Sequence, residues 1–280
     1  MNNNHTDTNQ RSFLLLQGVA SPFFFELEKA LNKAGYAALK INFCGGDLFS
    51  GRYFSTALKH LNYRGTLEAL PEFFDTVFEE YAITDILLFG DTRPVNQKAM
   101  QQAKHKDINI HVFEEGYFRP NWVTLDKNGV NAFSNIYKTS QNQPEWFIKK
   151  AEQLGNKPLE KTQATGGGLG IRAWHDIRYH LAKTLLKPFF PHYKTHRPDS
   201  PLEEYWGFVR RMPAVKFYYN RKSEQQIKEL LVSKAPFYLL PLQLEADSQM
   251  RLHSPFDSLE EIIQTTIESF AAHAPKESKL

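Results

Sequence analysis

Ile108-Asn109-Ile110-His111-Val112-Phe113-Glu114-Glu115-Gly116 opens as an apolar strand from Ile108 to Phe113 and ends on two adjacent carboxylates with a glycine directly behind them. In an open α/β sheet the carboxyl ends of the strands face the ligand crevice, so acids placed there are positioned for chemistry. Like charges this close resist ionising together, which raises one pKa and gives a route to an acid, a base or a nucleophile. The same two glutamates could instead cap the next segment or pair with Arg119, and these residues alone leave both readings open.

Working outward, Asp85 to Phe89 is a second apolar strand, followed by Gly90-Asp91-Thr92-Arg93-Pro94. Asp91 and Arg93 fall at its carboxyl end, as a pair that locks the loop or as groups that meet an anionic sugar or phosphate. Phe13 to Leu16 is a short strand, Gln17 to Ser21 a loop of small residues, and Pro22 suits the first turn of a helix running to about Ala34. Ala37 to Phe43 is another strand, ending at Cys44-Gly45-Gly46-Asp47, where paired glycines permit positive φ and close approach of a ligand. Asp47 could equally cap that turn. Helices are predicted over Thr66–Tyr81, where Leu67, Leu70, Phe73, Phe74, Val77 and Phe78 recur at helical spacing, and over Val95–Lys106. Strands alternating with helices imply a mostly parallel, Rossmann-like sheet. The first turn lacks a GxGxxG spacing, so NAD is not inferred.

With 280 residues, 41% hydrophobic and 14% aromatic, the chain can bury one large core or two modest ones. No apolar run approaches the ~20 residues of a spanning helix, and Met1 to Gln10 lacks the pattern of a secretory signal, so a cytoplasmic protein is expected. One cysteine, Cys44, excludes an internal disulfide and a thiolate metal cluster, and no metal is expected.

Several short motifs occur in a fixed order: Gln17-Gly18-Val19-Ala20-Ser21-Pro22, Asn42 to Asp47, Phe89 to Pro94, Glu114 to Trp122 with Val123-Thr124-Leu125, Gly129-Val130-Asn131, Pro241-Leu242-Gln243, Asp247-Ser248-Gln249 and His253-Ser254-Pro255-Phe256. Together they resemble bacterial capsule polysaccharide biosynthesis proteins of the KpsS/LipB type, the β-Kdo transferases. Glu114-Glu115-Gly116 also looks like the acid-acid-glycine motif of bacterial sialyltransferases, whose His-Pro motif for the donor phosphate has no counterpart here. The resemblance implies a GT-B-like architecture and retaining transfer of Kdo from CMP-β-Kdo to a phosphatidylglycerol-type lipid, with no further cofactor. Glu115 is then the expected catalytic carboxylate and Glu114 the second choice. Gln17, Gly18, Ser21, Gly45, Gly46, Asp47, Asp91, Arg93, Tyr117 and Arg119 are expected on the acceptor side, and Gln243, Asp247, Ser248, His253 and Ser254 on the donor side.

Between Arg172 and Lys222 stand eleven Lys or Arg against four Asp or Glu, a balance of +7 that leaves −4 for the rest of a chain of net charge +3. Trp174, Phe189, Phe190, Tyr193, Trp206, Phe208, Phe217, Tyr218 and Tyr219 are interleaved with them. Basic residues among aromatics suit an anionic membrane surface or nucleic acid. With a lipid acceptor implied, the inner face of the inner membrane is expected as partner and nucleic acid is not. Other capsule biosynthesis proteins are further expected partners, and a non-catalytic membrane-associated scaffold is the alternative to an enzyme.

The expected organisation is a tail over 1–11, a Rossmann-like acceptor and catalytic domain over 12–200, a basic helical connection over 201–234 and the beginning of a second Rossmann-like domain over 235–280. In the first domain, Gln141 to Gly170 breaks the strand–helix pattern, Gly166-Gly167-Gly168 being a connection, and Ala173 to Lys187 returns to helix with Trp174, Ile177, Leu181, Leu185 and Leu186 on its apolar face. After a helix from Ser223 to Ser233, Pro236 to Leu240 would open the second sheet. The ~45 residues remaining are too few to complete that domain, so a truncated or short family member is expected, inactive by itself.

Overall fold

The computed structural model describes residues 11–52, 60–116, 122–155, 169–194, 201–245, 247, 250–251 and 254–280, in two compact units that divide between His196 and Arg197. Tyr117, Arg119, the Gly166–Gly168 run, Ser248 and His253 lie outside the described residues.

The first unit is built on a six-stranded sheet: β1 Ser12–Leu15, β2 Ala37–Asn42, β3 His60–Asn62, β4 Asp85–Phe89, β5 Asn109–Glu115 and β6 Val123–Lys127, in spatial order β3-β2-β1-β4-β5-β6. The first five are parallel and β6 runs antiparallel to β5. This is the Rossmann-like α/β fold, with the order reversing between β1 and β4. Helices α1 Phe23–Lys33, α2 Gly45–Arg52, α3 Leu70–Glu80 and α4 Pro94–His105 connect the parallel strands; α5 Asn135–Asn142, α6 Pro144–Gly155 and α7 Leu169–Leu185 follow β6. One core joins Ile86, Leu88, Ile110 and Val112 to Phe74, Val77 and Phe78 of α3 and Ala99 of α4. The other packs Leu15, Leu87, Phe89 and Phe113 against Phe24 of α1. Strands buried on both faces read as continuous apolar runs, which is why β4 was visible in the sequence.

Four expectations change. The predicted helix over Thr66–Tyr81 starts only at Leu70, because Pro71 fits a first helical turn and not its interior. The loop expected at Cys44–Asp47 leads directly into α2, and neither Gly45 nor Gly46 has a positive φ. Strand β5 extends through both glutamates, because β6 pairs Thr124 with Glu114 and Val123 with Glu115. In α7 the predicted apolar face is outward: Trp174, Ile177, Leu181 and Leu185 are all exposed, whereas His180 and Ala182 are buried.

At the amino ends of the strands, fully buried Asp85 accepts hydrogen bonds from Arg11 Nε at 3.1 Å and Thr84 Oγ1 at 2.7 Å, and its Oδ1 lies 2.8 Å from His111 Nε2. Burial pushes its pKa up, but these bonds outweigh that and leave it below the usual aspartate value. A depressed carboxylate stabilises the fold fully above its unfolded pKa of about 3.9, and that contribution is lost as pH falls through the lower folded value. Asp85→Asn should therefore lower stability by roughly 1–3 kcal/mol at pH 7. In urea titrations the gap from wild type should narrow below about pH 4; a gap independent of pH would show that the carboxylate's charge is not what holds this corner.

The second unit holds α8 Pro201–Ala214, a π-helical turn Val215–Tyr219, α9 Asn220–Ser233 and α10 Leu259–His273. Pro213 lies inside α8, where it removes a backbone donor, and the wider turn follows it. Ser258 Oγ accepts from Glu261 N at 3.1 Å while Glu261 Oε2 accepts from Asp257 N at 3.0 Å, a reciprocal cap that starts α10. The strand predicted at Pro236–Leu240 is not formed. That segment makes one isolated parallel bridge, Phe237 to Lys279, because no neighbouring strand among the described residues offers it a ladder. Among the described residues no helix is long and apolar enough to cross a membrane.

Candidate functional site

The carboxyl ends of β1, β4 and β5 converge where the strand order reverses, the usual crevice position in this fold. Arg93, just after β4, donates from Nη1 to the carbonyl of Gly18 at 2.7 Å and so ties the β4 rim to the loop after β1. Asp91 is buried and accepts from Val130 N at 2.9 Å, which fixes the turn after β6. Asn96 reaches back to the carbonyls of Phe89 and Gly90 at 3.1 and 2.7 Å. Gly90, at φ +72°, lies beneath Glu114, whose Oε2 would stand 3.6 Å from a Cβ there.

The two glutamates of β5 have different surroundings. Glu114 is half-buried and accepts the amide of Glu115 on Oε1 at 3.0 Å. Burial is the largest influence on it and raises its pKa; the charges of Glu115 and Asp91 push the same way, while the Glu115 amide and Arg93 pull down. Glu115 Oε1 lies 3.4 Å from Arg172 Nη2 in a more exposed position. Successive strand residues point to opposite faces, so the pair flanks the rim instead of sharing one spot.

Gln17 and Asp47, predicted substrate contacts, are 2% and 3% exposed and are engaged by the protein itself. Asp47 accepts from Tyr179 Oη at 2.9 Å, Phe43 N at 3.0 Å and Gln17 Nε2 at 3.3 Å; Gln17 also donates to Tyr193 Oη at 2.8 Å. Cys44 Sγ sits 3.2 Å from Tyr179 Oη, and burial pushes its thiol up to about 12, so it is no thiolate nucleophile near neutral pH. Lys40, 4% exposed, donates to Asn42 Oδ1 at 2.9 Å and the Asp47 carbonyl at 3.0 Å, and burial lowers its pKa.

The close approach permitted by Gly45 and Gly46 is to α7. A Cβ on Gly45 would meet the Ala182 carbonyl and stand 2.5 Å from Leu186 Cβ, and one on Gly46 would stand 2.6 Å from the Tyr179 ring. Helix α7 thus reaches Glu115 through Arg172 and the β1–β2 rim through Tyr179. Seven residues of helix rise about 10 Å, close to two strand spacings, so α7 runs across the carboxyl ends of the strands from β5 towards β1 and β2. No feature of the sequence marked Tyr179 or Arg172; the +7 balance of their region was the available signal.

The description "capsule polysaccharide biosynthesis protein" fits residues 84–280, opening just before β4 and containing Asp91, Arg93, Glu114 and Glu115. The chain belongs to this family. It is 31% identical over 272 residues to the capsule polysaccharide export protein KpsS of Escherichia coli, a match covering 96% of the chain and 66% of that relative. It is 30% and 31% identical to the capsule polysaccharide modification proteins LipB of Neisseria meningitidis serogroups B and A, again over 96% of the chain and 63% of each relative. The chain therefore spans just under two thirds of the length of these curated relatives. The four rim groups lie inside the family match, whereas Gln17 and Asp47 precede it.

Gln243 is exposed and Asp247 sits in a turn, its carbonyl accepting the amides of Met250 and Arg251 at 3.1 and 3.0 Å. Ser254 Oγ accepts from Phe256 N at 3.1 Å.

Proposed function

We propose that this capsule polysaccharide biosynthesis protein takes part in transferring Kdo from CMP-β-Kdo to a phosphatidylglycerol-type lipid with retention, at the inner face of the inner membrane, within a GT-B-like architecture. The observation that carries this reading is the pair of unlike carboxylates at the end of β5, one pushed towards the neutral acid and one set against a guanidinium. Retention by double displacement needs two carboxylates on opposite sides of the sugar. Glu115, set against Arg172, attacks the anomeric carbon as the bond to CMP breaks and CMP leaves with the bonding electrons. The lipid hydroxyl then attacks the same carbon from the other side, the ester bond to Glu115 breaks, and the hydroxyl proton goes to Glu114. A base with its pKa raised towards neutral suits that last task. Arg93 is suited to the sugar carboxylate or the lipid phosphate as well as to the Gly18 carbonyl.

The membrane part of the reading is supported by the second unit, where Trp206, Phe208, Phe217, Tyr218 and Tyr219 are all exposed among Arg210, Arg211, Lys216 and Lys222. Each interfacial Lys or Arg contributes on the order of 1 kcal/mol to binding an anionic surface. The test is release of CMP from CMP-β-Kdo by the intact protein, with and without phosphatidylglycerol vesicles. Release that requires the lipid supports the reading; the absence of any release with both present would favour the scaffold alternative.

A further inference from the structure

Strand β6 lies at one edge of the sheet, and among the described residues it pairs with β5 alone. The Asn128 amide donates to the Ile110 carbonyl at 3.1 Å and the Gly116 amide to the Trp122 carbonyl at 2.9 Å, so the even-numbered residues of this strand turn their backbone groups towards β5. By alternation the amides and carbonyls of Val123, Leu125 and Lys127 face away from the sheet. Those of Lys127 are engaged within the chain, the amide donating to Asp126 Oδ1 at 2.7 Å and the carbonyl accepting from Asn135 Nδ2 at 2.9 Å. The amides and carbonyls of Val123 and Leu125 have no such partner among the described residues, and they form an open edge of the kind that sheets usually cover or charge.

The surroundings of this edge are apolar and nearly neutral. Asn135, at the start of α5, is tied to Lys127, and α6 packs on α5, which gathers the segment 122–155 beside β6. Trp122, Val123, Leu125, Phe133, Tyr137 and Trp146 are all exposed there. Each about half exposed, they offer roughly 600 Å² together, most of the ~800 Å² that one partner gives to a standard-size interface. The segment carries four lysines against three acids, so it lacks the basic excess of 172–222 that suits an anionic surface, and it has little charge with which to repel its own copy.

We propose that β6 is a docking edge for a second copy of this chain, paired antiparallel about a two-fold axis at Thr124. That register sets Val123 against Leu125 of the other copy on both sides of the axis, and its four hydrogen bonds use all four open backbone groups of each edge. A shift by one residue would turn bonded groups towards bonded groups, and centring on Leu125 would set Val123 against Lys127, whose amide and carbonyl are already taken. Val123 and Leu125 of both copies then form one apolar cluster on one face, and Thr124 meets its own counterpart on the other, a favourable cross-strand pair. Because β6 sets Thr124 opposite Glu114, the two carboxylate rims stand on one continuous sheet, their β5 backbones three strand spacings or roughly 14 Å apart. The pairing does not depend on the transfer reading.

Sedimentation of the 280-residue chain over a range of concentrations tests the edge. A reversible dimer is expected, weakened at least about tenfold by Leu125→Pro, which removes an outward amide and leaves the bonds to β5 in place. Thr124→Cys tests the register even if the proline variant fails to fold. Two-fold pairing brings the two introduced thiols together with Cα atoms about 4.5 Å apart, within disulfide reach. The native Cys44 is buried, so it gives no background. Oxidised Thr124→Cys should therefore run as a covalent dimer, whereas Lys127→Cys, about 20 Å from its counterpart in this register, should not. A chain that is monomeric at every concentration overturns the proposal, as does a dimer that forms no Thr124→Cys cross-link. A monomer that binds phosphatidylglycerol vesicles and loses that binding with Leu125→Pro would give the edge to a lipid surface and overturn it too.

Discussion

Glu115→Gln in the intact protein is expected to lower kcat for Kdo transfer by roughly 10⁴-fold or more while leaving the melting temperature close to wild type. The substitution keeps the shape of the side chain and removes the charge set against Arg172, a partly exposed contact that by itself contributes little to stability. Glu114→Gln should reduce kcat less, by about 10²-fold, as expected for loss of a general base. The two variants should also differ in pH dependence. A base must be ionised, so wild-type activity falls as pH drops through the pKa of Glu114, which burial raises from the ordinary glutamate value. That acidic limb should vanish in Glu114→Gln and persist in any residual activity of Glu115→Gln. Near-wild-type turnover by Glu115→Gln would remove it as the nucleophile.

The largest structural effect is expected at Gly45. A Cβ there runs into the Ala182 backbone carbonyl and comes within 2.5 Å of Leu186 Cβ, and backbone cannot move aside as the tip of a flexible side chain can. Gly45→Val should therefore cost at least ~3 kcal/mol, a fall of roughly 6–12 °C in melting temperature. The damage should be specific to α7, so amide exchange in Tyr179 to Ala182 should accelerate more than in β4. Gly170→Ala, at a helical glycine with nothing within 4 Å, serves as control and should be neutral or slightly stabilising. A Gly45→Val protein as stable as wild type would mean that α2 and α7 do not pack as described.

Much of the rim was legible in the sequence because its groups sit directly behind apolar strands. Asp91 and Arg93 follow Asp85–Phe89, and the glutamates end the run from Ile108, so strand direction alone put them on one edge of the sheet. What escaped the sequence depended on partners far along the chain. Gly45 and Gly46 have the composition of a turn, and only the arrival of Tyr179 and Ala182 some 135 residues later makes them a helix contact. β3, with three residues, is too short to show a period, and β6 alternates between exposed and half-buried, which a short motif does not reveal. The apolar stripe of α7 pointed to the wrong face because burial there is decided by close approach to glycines, which favours small and hydrogen-bonding residues over large apolar ones.

The path of α7 has a consequence for how the molecule assembles. All six described strands are complete by Lys127, and their pairings span at most 72 positions, that of β1 with β4, whereas the bonds from Tyr179 to Asp47 and Cys44 and from Tyr193 to Gln17 span 132, 135 and 176 positions. Long closures add conformational entropy to overcome before any contact forms, so local pairings lead and distant ones follow. The sheet can thus form with its upper edge open, and the roof over the crevice is a late event in the history of each molecule.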